Sequence, residues 1–185
     1  MDELIYGVWK GRAYDNRRTI DGKAPEGLPL SEFLAFNSGN PVAGFAGPQG
    51  FLMFDNRVTL ADVLLSYYKR VRELACGRCT PCRAGGVMIV EALEAACEGR
   101  GSEVDWERIR DIALQMKETS LCGIGLTTPE PILGALEHFP ELLVNAPVMP
   151  ATQRDFISVA TAPCIEACPA KVNVPRYIDF IRDGH

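Results

Sequence analysis

Three cysteines stand close together in the segment ACGRCTPCRAG. Cys76, Cys79 and Cys82 are separated by two residues each, and Arg78 and Arg83 lie beside them. An iron–sulfur cube needs four thiolates that converge on one centre, and short spacers let three side chains turn toward it. The spacing therefore predicts three cluster ligands. Arg78 and Arg83 would offset the negative charge of such a cluster, although solvated surface arginines explain these two residues equally well.

The fourth ligand is expected from elsewhere in the chain. Cys122 in the segment SLCGIG is the candidate, because the two glycines near it would let the backbone approach a bulky inorganic body. Two predicted helices separate Cys82 from Cys122. A hairpin of that length can fold Cys122 back over the other three cysteines.

A structural zinc site is the alternative interpretation of these cysteines. Zinc sites with four cysteine ligands typically take them as two separated pairs, which matches a run of three and a distant fourth less well. In that case the chain would be a zinc-stabilised interaction module without a redox role. Cys97 is expected to be a small buried apolar side chain. His138 and His185 have no ligand-like spacing, and His138 is expected near the negative end of a helix dipole.

Composition and charge exclude other classes of protein. The chain has 185 residues, of which 47% are hydrophobic and 23% charged, as in soluble globular proteins. Its net charge of −5 gives no basic surface for nucleic acid. No apolar run approaches the ~20 residues that span a bilayer, and the acidic N-terminus does not resemble a secretory signal. We therefore predict a cytoplasmic protein, in which seven cysteines favour metal binding over disulfides.

The elements that would position the cysteines are mainly helical. Apolar residues recur at the helical period in four stretches with short connections, which predicts a four-helix bundle. Thr59 is expected to cap the first helix, with Asp62 completing a capping box. The residues before it are rich in Gly and Pro and predict short strands and turns, including one strand from Gly50 to Asp55. The predicted helices run from Leu60 to Leu74, from Val87 to Ala96, from Trp106 to Met116, and onward from Pro129.

These elements divide the chain into three predicted regions. Residues 1–58 form a small Gly/Pro-rich β region, residues 59–143 the four-helix cluster domain, and residues 144–185 a linker with a C-terminal docking or second-cluster segment. The predicted fold class is therefore mainly α. A partial β region precedes the bundle, and an extended linker with one short helix follows it.

Two segments together resemble a known family. ACGRCTPCRAG followed by SLCGIGLTTPEPILGALEHF is similar to the C-terminal iron–sulfur domain of the NADH-binding flavoprotein subunit of complex I, which NAD-linked formate dehydrogenases and hydrogenases share. The resemblance begins upstream in GPQGFLMFDNRVTLADVLLSYYKRV, which looks like the end of that family's β-grasp-like domain and the first helix of its bundle. It covers about residues 40–143. It implies a four-helix bundle with one [4Fe-4S] cluster that takes electrons from a flavin. The implied ligands are Cys76, Cys79, Cys82 and Cys122.

The sequence also departs from that family. Its members carry a large nucleotide-binding domain ahead of this region. Gly44, Gly47 and Gly50 are three residues apart and do not form the dinucleotide fingerprint, so we expect no flavin or NAD site in this chain. We predict an electron-transfer subunit without an active site of its own, in a multisubunit NAD(P)-, hydrogen- or formate-linked oxidoreductase. Its partners would be a flavin- and NAD(P)H-binding subunit and other iron–sulfur or catalytic subunits, of hydrogenase or formate dehydrogenase type.

A second cysteine motif lies near the C-terminus. In APCIEACPAKVNVPRYIDFIRDG, Cys164 and Cys168 precede Pro169, as in the closing half of a bacterial ferredoxin run. The segment also resembles the opening of the iron–sulfur domain of glutamate synthase small-subunit-like flavoproteins. Two cysteines cannot complete a [4Fe-4S] site. They would form part of a second cluster with ligands from downstream sequence or a partner chain, or the segment has kept only a docking helix.

Overall fold

The computed structural model of the chain describes residues 4–17, 42–149, 157–159 and 181. Within these ranges the protein is mainly α-helical with one small β-sheet, which confirms the predicted fold class at that level. Its strands are β1 (Tyr6–Trp9), β2 (Arg12–Asp15), β3 (Gly44–Gly47), β4 (Gly50–Met53) and β5 (Ile157–Val159). Its helices are α1 (Leu60–Leu74), α2 (Thr80–Cys97), α3 (Trp106–Thr119), α4 (Gly123–Thr127), α5 (Glu130–His138) and α6 (Glu141–Val144), with a 3₁₀ turn at Gly101–Glu103.

The sheet has the strand order β2-β1-β4-β3-β5. Its first four strands pair antiparallel, and β5 joins β3 in parallel. The strand predicted from Gly50 to Asp55 is confirmed as β4, which ends at Met53. Gly50 has a φ of +136°, and a Cβ there would collide with the carbonyl oxygen of Val8. Gly50 therefore serves the turn between β3 and β4, where only glycine fits.

The core lies between this sheet and the helices. Alternate side chains of each strand face opposite sides, so Tyr6 and Phe51 join the helical core while Trp9 and Leu52 belong to a smaller cluster on the other face. Tyr6 and Phe51 contact Phe139, with ring centroids 5.2 and 6.0 Å from it. The sheet and the helices therefore share one hydrophobic core.

Helix α1 forms as the sequence predicts. Thr59 is its N-cap and accepts a hydrogen bond from the Asp62 amide, while the Asp62 carboxylate accepts one from the Thr59 amide, so the capping box is confirmed. The apolar face of α1 is buried, including Tyr67 and Tyr68. Helix α1 packs against α2 and against β3, so it supports both the sheet and the cysteine segment that follows it.

Helix α2 begins seven residues before its predicted start at Val87. Cys79 is its N-cap, Pro81 lies in its first turn, and Cys82 is helical. The prediction that all three clustered cysteines precede the second helix was therefore wrong. Proline is favoured in the first turn of a helix, where its missing N–H costs no hydrogen bond, and this explains how the helix extends back through the cysteine segment.

Three short elements were not predicted. Helix α4 precedes α5, helix α6 follows Pro140 and buries Leu143 in the core, and β5 adds a strand to the sheet. The long helices pack in sequence, α1 on α2, α2 on α3 and α3 on α5. In the described part of the chain, no helix is long and apolar enough to span a membrane.

Candidate metal centre

The three clustered cysteines occupy the junction between α1 and α2. The chain leaves α1 at Ala75 in an extended conformation and turns at Gly77, which has a φ of +79°. That left-handed conformation favours glycine. The Arg83 guanidinium donates a hydrogen bond of 2.8 Å to the Gly77 carbonyl and so closes the turn. Arg83 therefore has a structural role that its proximity to the cysteines alone did not indicate.

Cys122 lies at the junction between α3 and α4. Ser120 is the C-cap of α3 in an extended conformation, and Cys122 is the N-cap of α4. Between them, the Leu121 amide donates a hydrogen bond of 3.4 Å to Sγ of Cys79. This contact joins the two cysteine-bearing junctions, although 42 residues separate them in sequence.

All four cysteines line one pocket, which we call the cysteine pocket. Cys79 and Cys82 are half-buried, whereas Cys76 and Cys122 are exposed. The structure thus brings Cys122 to the clustered cysteines, as the sequence predicted. The pocket is lined by Ala75, Cys76, Gly77, Arg78, Cys79, Cys82, Ser120, Cys122, Ile124 and Gly125.

The four thiols are close enough to influence one another. Burial raises the pKa of Cys82 to about 11, and the negative charges of Cys122, Cys79 and Cys76 contribute to the same shift. Several thiolates at this distance repel one another and favour protonation unless a cation is present. A metal group that accepts the thiolates would therefore displace protons as it binds.

The cysteines of the pocket form a ligand set that two kinds of metal group use. A zinc ion holds each sulfur at about 2.3 Å, so its four ligands converge tightly on one ion. In an iron–sulfur cube each thiolate binds a different iron, so the four sulfurs stand further apart.

Two further features of the pocket suit an anionic sulfur group. The N-terminus of α2 has no side-chain cap, so the positive end of its dipole lies beside Cys79 and Cys82. The Ser120 hydroxyl is buried and has no hydrogen-bond partner in the described part of the protein. Together they leave polar donors beside the sulfurs, as a thiolate-bound cluster requires.

The remaining residues singled out from the sequence lie elsewhere. Cys97 is half-buried at the far end of α2, where it packs against the hydrophobic core as expected. His138 is in the last turn of α5, at the negative end of its dipole. Arg78 lines the cysteine pocket. Cys164, Cys168 and His185 lie outside the described residues.

Sequence reasoning missed Ser120 and gave Gly123 and Gly125 of SLCGIG one common role, that of letting the backbone approach an inorganic group. Among the protein's own atoms, a Cβ on Gly123 would meet nothing within 4 Å. Gly125 is the constrained one, because a Cβ there would collide with the Ser120 side chain. Ser120 itself directly precedes the Leu121–Cys122 pair. In the sequence, only this position next to a candidate ligand could have indicated that Ser120 belongs to the site.

Comparison with known proteins assigns the helical part of the chain. Residues 62–146 match the family described as the NADH-ubiquinone oxidoreductase-F iron-sulfur binding region. The chain is 29% identical over 187 residues to the NADPH-Fe(3+) oxidoreductase subunit beta of Geobacter sulfurreducens, covering 99% of this chain and 27% of the relative. It is 28% identical to the NADP(+)-dependent formate dehydrogenase subunit beta of Moorella thermoacetica, covering all of this chain and 31% of that protein.

A hydrogenase subunit and a solved hydrogenase structure are also similar. The NADP-reducing hydrogenase subunit HndC of Solidesulfovibrio fructosivorans is 32% identical over 145 residues, which cover 75% of this chain and 30% of the relative. A crystal structure of an NAD+-reducing [NiFe]-hydrogenase in its H2-reduced state is 29% identical over 51% of this chain and 16% of its own, with a TM-score of 0.46. The chain thus spans about three-tenths of the length of these curated relatives. Its residues 62–146 are thus similar to the iron–sulfur binding region of these oxidoreductase subunits.

Proposed function

We propose that the protein holds one [4Fe-4S] cluster on Cys76, Cys79, Cys82 and Cys122 and relays single electrons between redox partners. The observation that carries the proposal is the cysteine pocket, which gathers these four residues from two helix junctions. The family match of residues 62–146 supports an iron–sulfur cluster in this region. We also propose that the helices form a four-helix bundle and that the sheet belongs to a β-grasp-like region.

The chain's own residues would bind and shield the cluster. When bound, the cluster supplies one-electron transfer without a bond to any substrate. Cys76 and Cys122 are exposed, and the half-buried Cys79 and Cys82 would attach the group to the start of α2. The Leu121 amide donates to Cys79 and would fix the orientation of its sulfur. The buried side chain of Ile124 limits the access of water.

The redox groups that give electrons to the cluster and take electrons from it would belong to other proteins. We infer that a flavin- and NAD(P)H-binding partner loads the cluster and that another iron–sulfur or catalytic subunit receives its electrons. Support comes from the relatives, whose names describe NADP-linked formate dehydrogenase and hydrogenase subunits. We further propose that this chain itself binds no flavin or NAD, and that Cys164 and Cys168 belong to a second, partial site. Iron counts would show whether a second cluster is present.

The first experiment measures metal content in protein purified without oxygen. We expect a brown protein with about four irons per chain for one cluster, or about eight for two, and a paramagnetic signal after reduction. Replacement of Cys122 by Ala should remove the cluster or convert it to a form with fewer irons, because three thiolates leave one iron without a protein ligand. The matched control is Cys97→Ala, which lies at the other end of α2 and should keep the full iron content.

Two results would contradict this proposal. Colourless protein with one equivalent of zinc would support the structural zinc module instead. A full cluster in both the Cys122→Ala and the Cys97→Ala variants would show that the fourth ligand is a different residue.

A further inference from the structure

The Ser120 side chain is unusual among the residues around the cysteines. It is 8% exposed, and its hydroxyl oxygen is buried without a hydrogen-bond partner in the described part of the chain. A buried hydroxyl that makes no hydrogen bond destabilises the folded protein. Ser120 is also one of the residues that line the cysteine pocket, so this buried hydroxyl lies beside the place where a group would bind.

The surrounding backbone holds Ser120 in this position. Its amide donates to the Met116 carbonyl at the end of α3, and its ψ of 152° directs the chain away from the helix toward Cys122. Gly125 faces the Ser120 side chain so closely that no Cβ fits between them. A Cβ on Gly125 would also lie 3.5 Å from Cβ of Cys82, so the side chains of Ser120 and Cys82 flank the same glycine.

The chemistry of the pocket limits what the hydroxyl can bond. Its neighbours along the lining are cysteines, Ile124 and Gly125, so sulfur is the acceptor that the nearby side chains offer. A hydroxyl hydrogen bond to a thiolate or sulfide stabilises negative charge on it. Reduction adds one electron and increases that charge, so such a bond stabilises the reduced form more than the oxidised form.

We propose that the Ser120 hydroxyl donates a hydrogen bond to a sulfur of the cluster and raises its reduction potential. This inference rests on the proposed function, because it needs the cluster bound at the four cysteines. It gives Ser120 a role distinct from that of the Leu121 amide, which bonds Cys79 even without a cluster. No covalent bond changes, and the hydroxyl proton stays on Ser120.

The test compares two variants that each remove one buried, unpartnered hydroxyl. Ser120→Ala removes the hydroxyl in the cysteine pocket. Thr128→Val is the matched control, since Thr128 is 5% exposed, its hydroxyl also has no partner in the described residues, and it is not among the residues that line the pocket. Each full-length protein is loaded with iron and sulfide without oxygen. Its midpoint potential is then measured by a redox titration followed through visible absorbance and electron paramagnetic resonance.

We expect Ser120→Ala to shift the midpoint potential to a more negative value and Thr128→Val to leave it unchanged. An iron-loaded Ser120→Ala protein with the unaltered potential overturns the inference but leaves the proposed function intact. Failure of Ser120→Ala alone to fold, judged by its helical circular dichroism, or to load iron would show a structural role and also overturns it. If the unaltered chain binds no cluster, the proposed function itself fails.

Discussion

Two neighbouring tyrosines show how a single hydroxyl determines the effect of a substitution. Tyr67 and Tyr68 are both fully buried in α1, and their rings contact each other edge to face at 5.3 Å. The Tyr68 hydroxyl donates a hydrogen bond of 2.7 Å to the Thr128 carbonyl, which ties α1 to the start of α5. The Tyr67 hydroxyl has no partner in the described residues. The sequence, which places both on one helix, does not distinguish them.

Removal of the two hydroxyls should therefore have opposite effects. We expect Tyr68→Phe to lower the free energy of unfolding by about 1–2 kcal/mol, because it leaves the buried Thr128 carbonyl unpaired. Tyr67→Phe should leave it unchanged or raise it, because that hydroxyl is buried without compensation. Urea unfolding of both variants in the same metal-loaded state measures the difference. Equal losses for both variants would contradict this assignment.

At the scale of elements, the contact between α2 and α3 depends on one glycine of an adjacent pair. A Cβ on Gly85 would lie 2.6 Å from Sδ of Met116 and 2.9 Å from Cγ2 of Ile112, both on α3. A Cβ on Gly86 would meet only Cγ of Arg72 at 3.7 Å, an ordinary contact. The two glycines share the same helix but face different neighbours.

Alanine at these two positions separates packing from helix propensity. Gly86→Ala should raise the free energy of unfolding by about 0.5–1 kcal/mol, because alanine favours the helix. Gly85→Ala has the same gain in helix propensity, but overpacking against α3 should lower its free energy of unfolding by about 1–3 kcal/mol. We therefore expect Gly85→Ala to be less stable than Gly86→Ala. Thermal unfolding of the two variants under identical conditions measures the order. If Gly85→Ala were more stable than Gly86→Ala, α3 would have to move away from α2 without a loss of stability.

The helices show what the sequence could predict and where it failed. The start of α1 was predictable because Thr59 and Asp62 form a local capping box, whose geometry depends only on neighbouring residues. The start of α2 was not predicted correctly, because the predicted helix began at Val87, after Cys79 and Cys82. The return of Cys122 toward Cys82 agrees with the expected hairpin of α2 and α3, although α2 begins earlier than predicted and contains Cys82. The roles of Ser120 and Gly125 depend on tertiary contacts, which no local pattern encodes.

At the scale of the whole molecule, the shared core makes stability sensitive to alkaline pH. Burial raises the pKa of Tyr6, Tyr67 and Tyr68 well above the usual value of a phenol, with burial the largest cause in each. In the unfolded chain these phenols ionise near pH ~10, whereas the folded protein keeps them protonated. The unfolded state therefore loses protons first, and the free energy of unfolding falls as the pH rises above ~10.

The ionisation of these three tyrosines should accompany unfolding. We expect the ultraviolet absorbance of their tyrosinates to appear together with the loss of helical circular dichroism during an alkaline titration. In concentrated denaturant, by contrast, the same groups should titrate near pH ~10. Full ionisation of all tyrosines in a protein that retains its helices would contradict the burial of these phenols.

The parallel pairing of β5 with β3 has a consequence for any shortened form of the protein. Strand β5 covers the side of β3 that faces away from β4, with Gly44 opposite Ile157 and Ala46 opposite Val159. A chain that ends at Met149 would leave that side of β3 with unpaired amides and carbonyls, a template for strands of other molecules. We expect such a chain to form aggregates at concentrations where the full chain stays monodisperse in size-exclusion chromatography. Strand β5 would thus also protect the sheet against self-association.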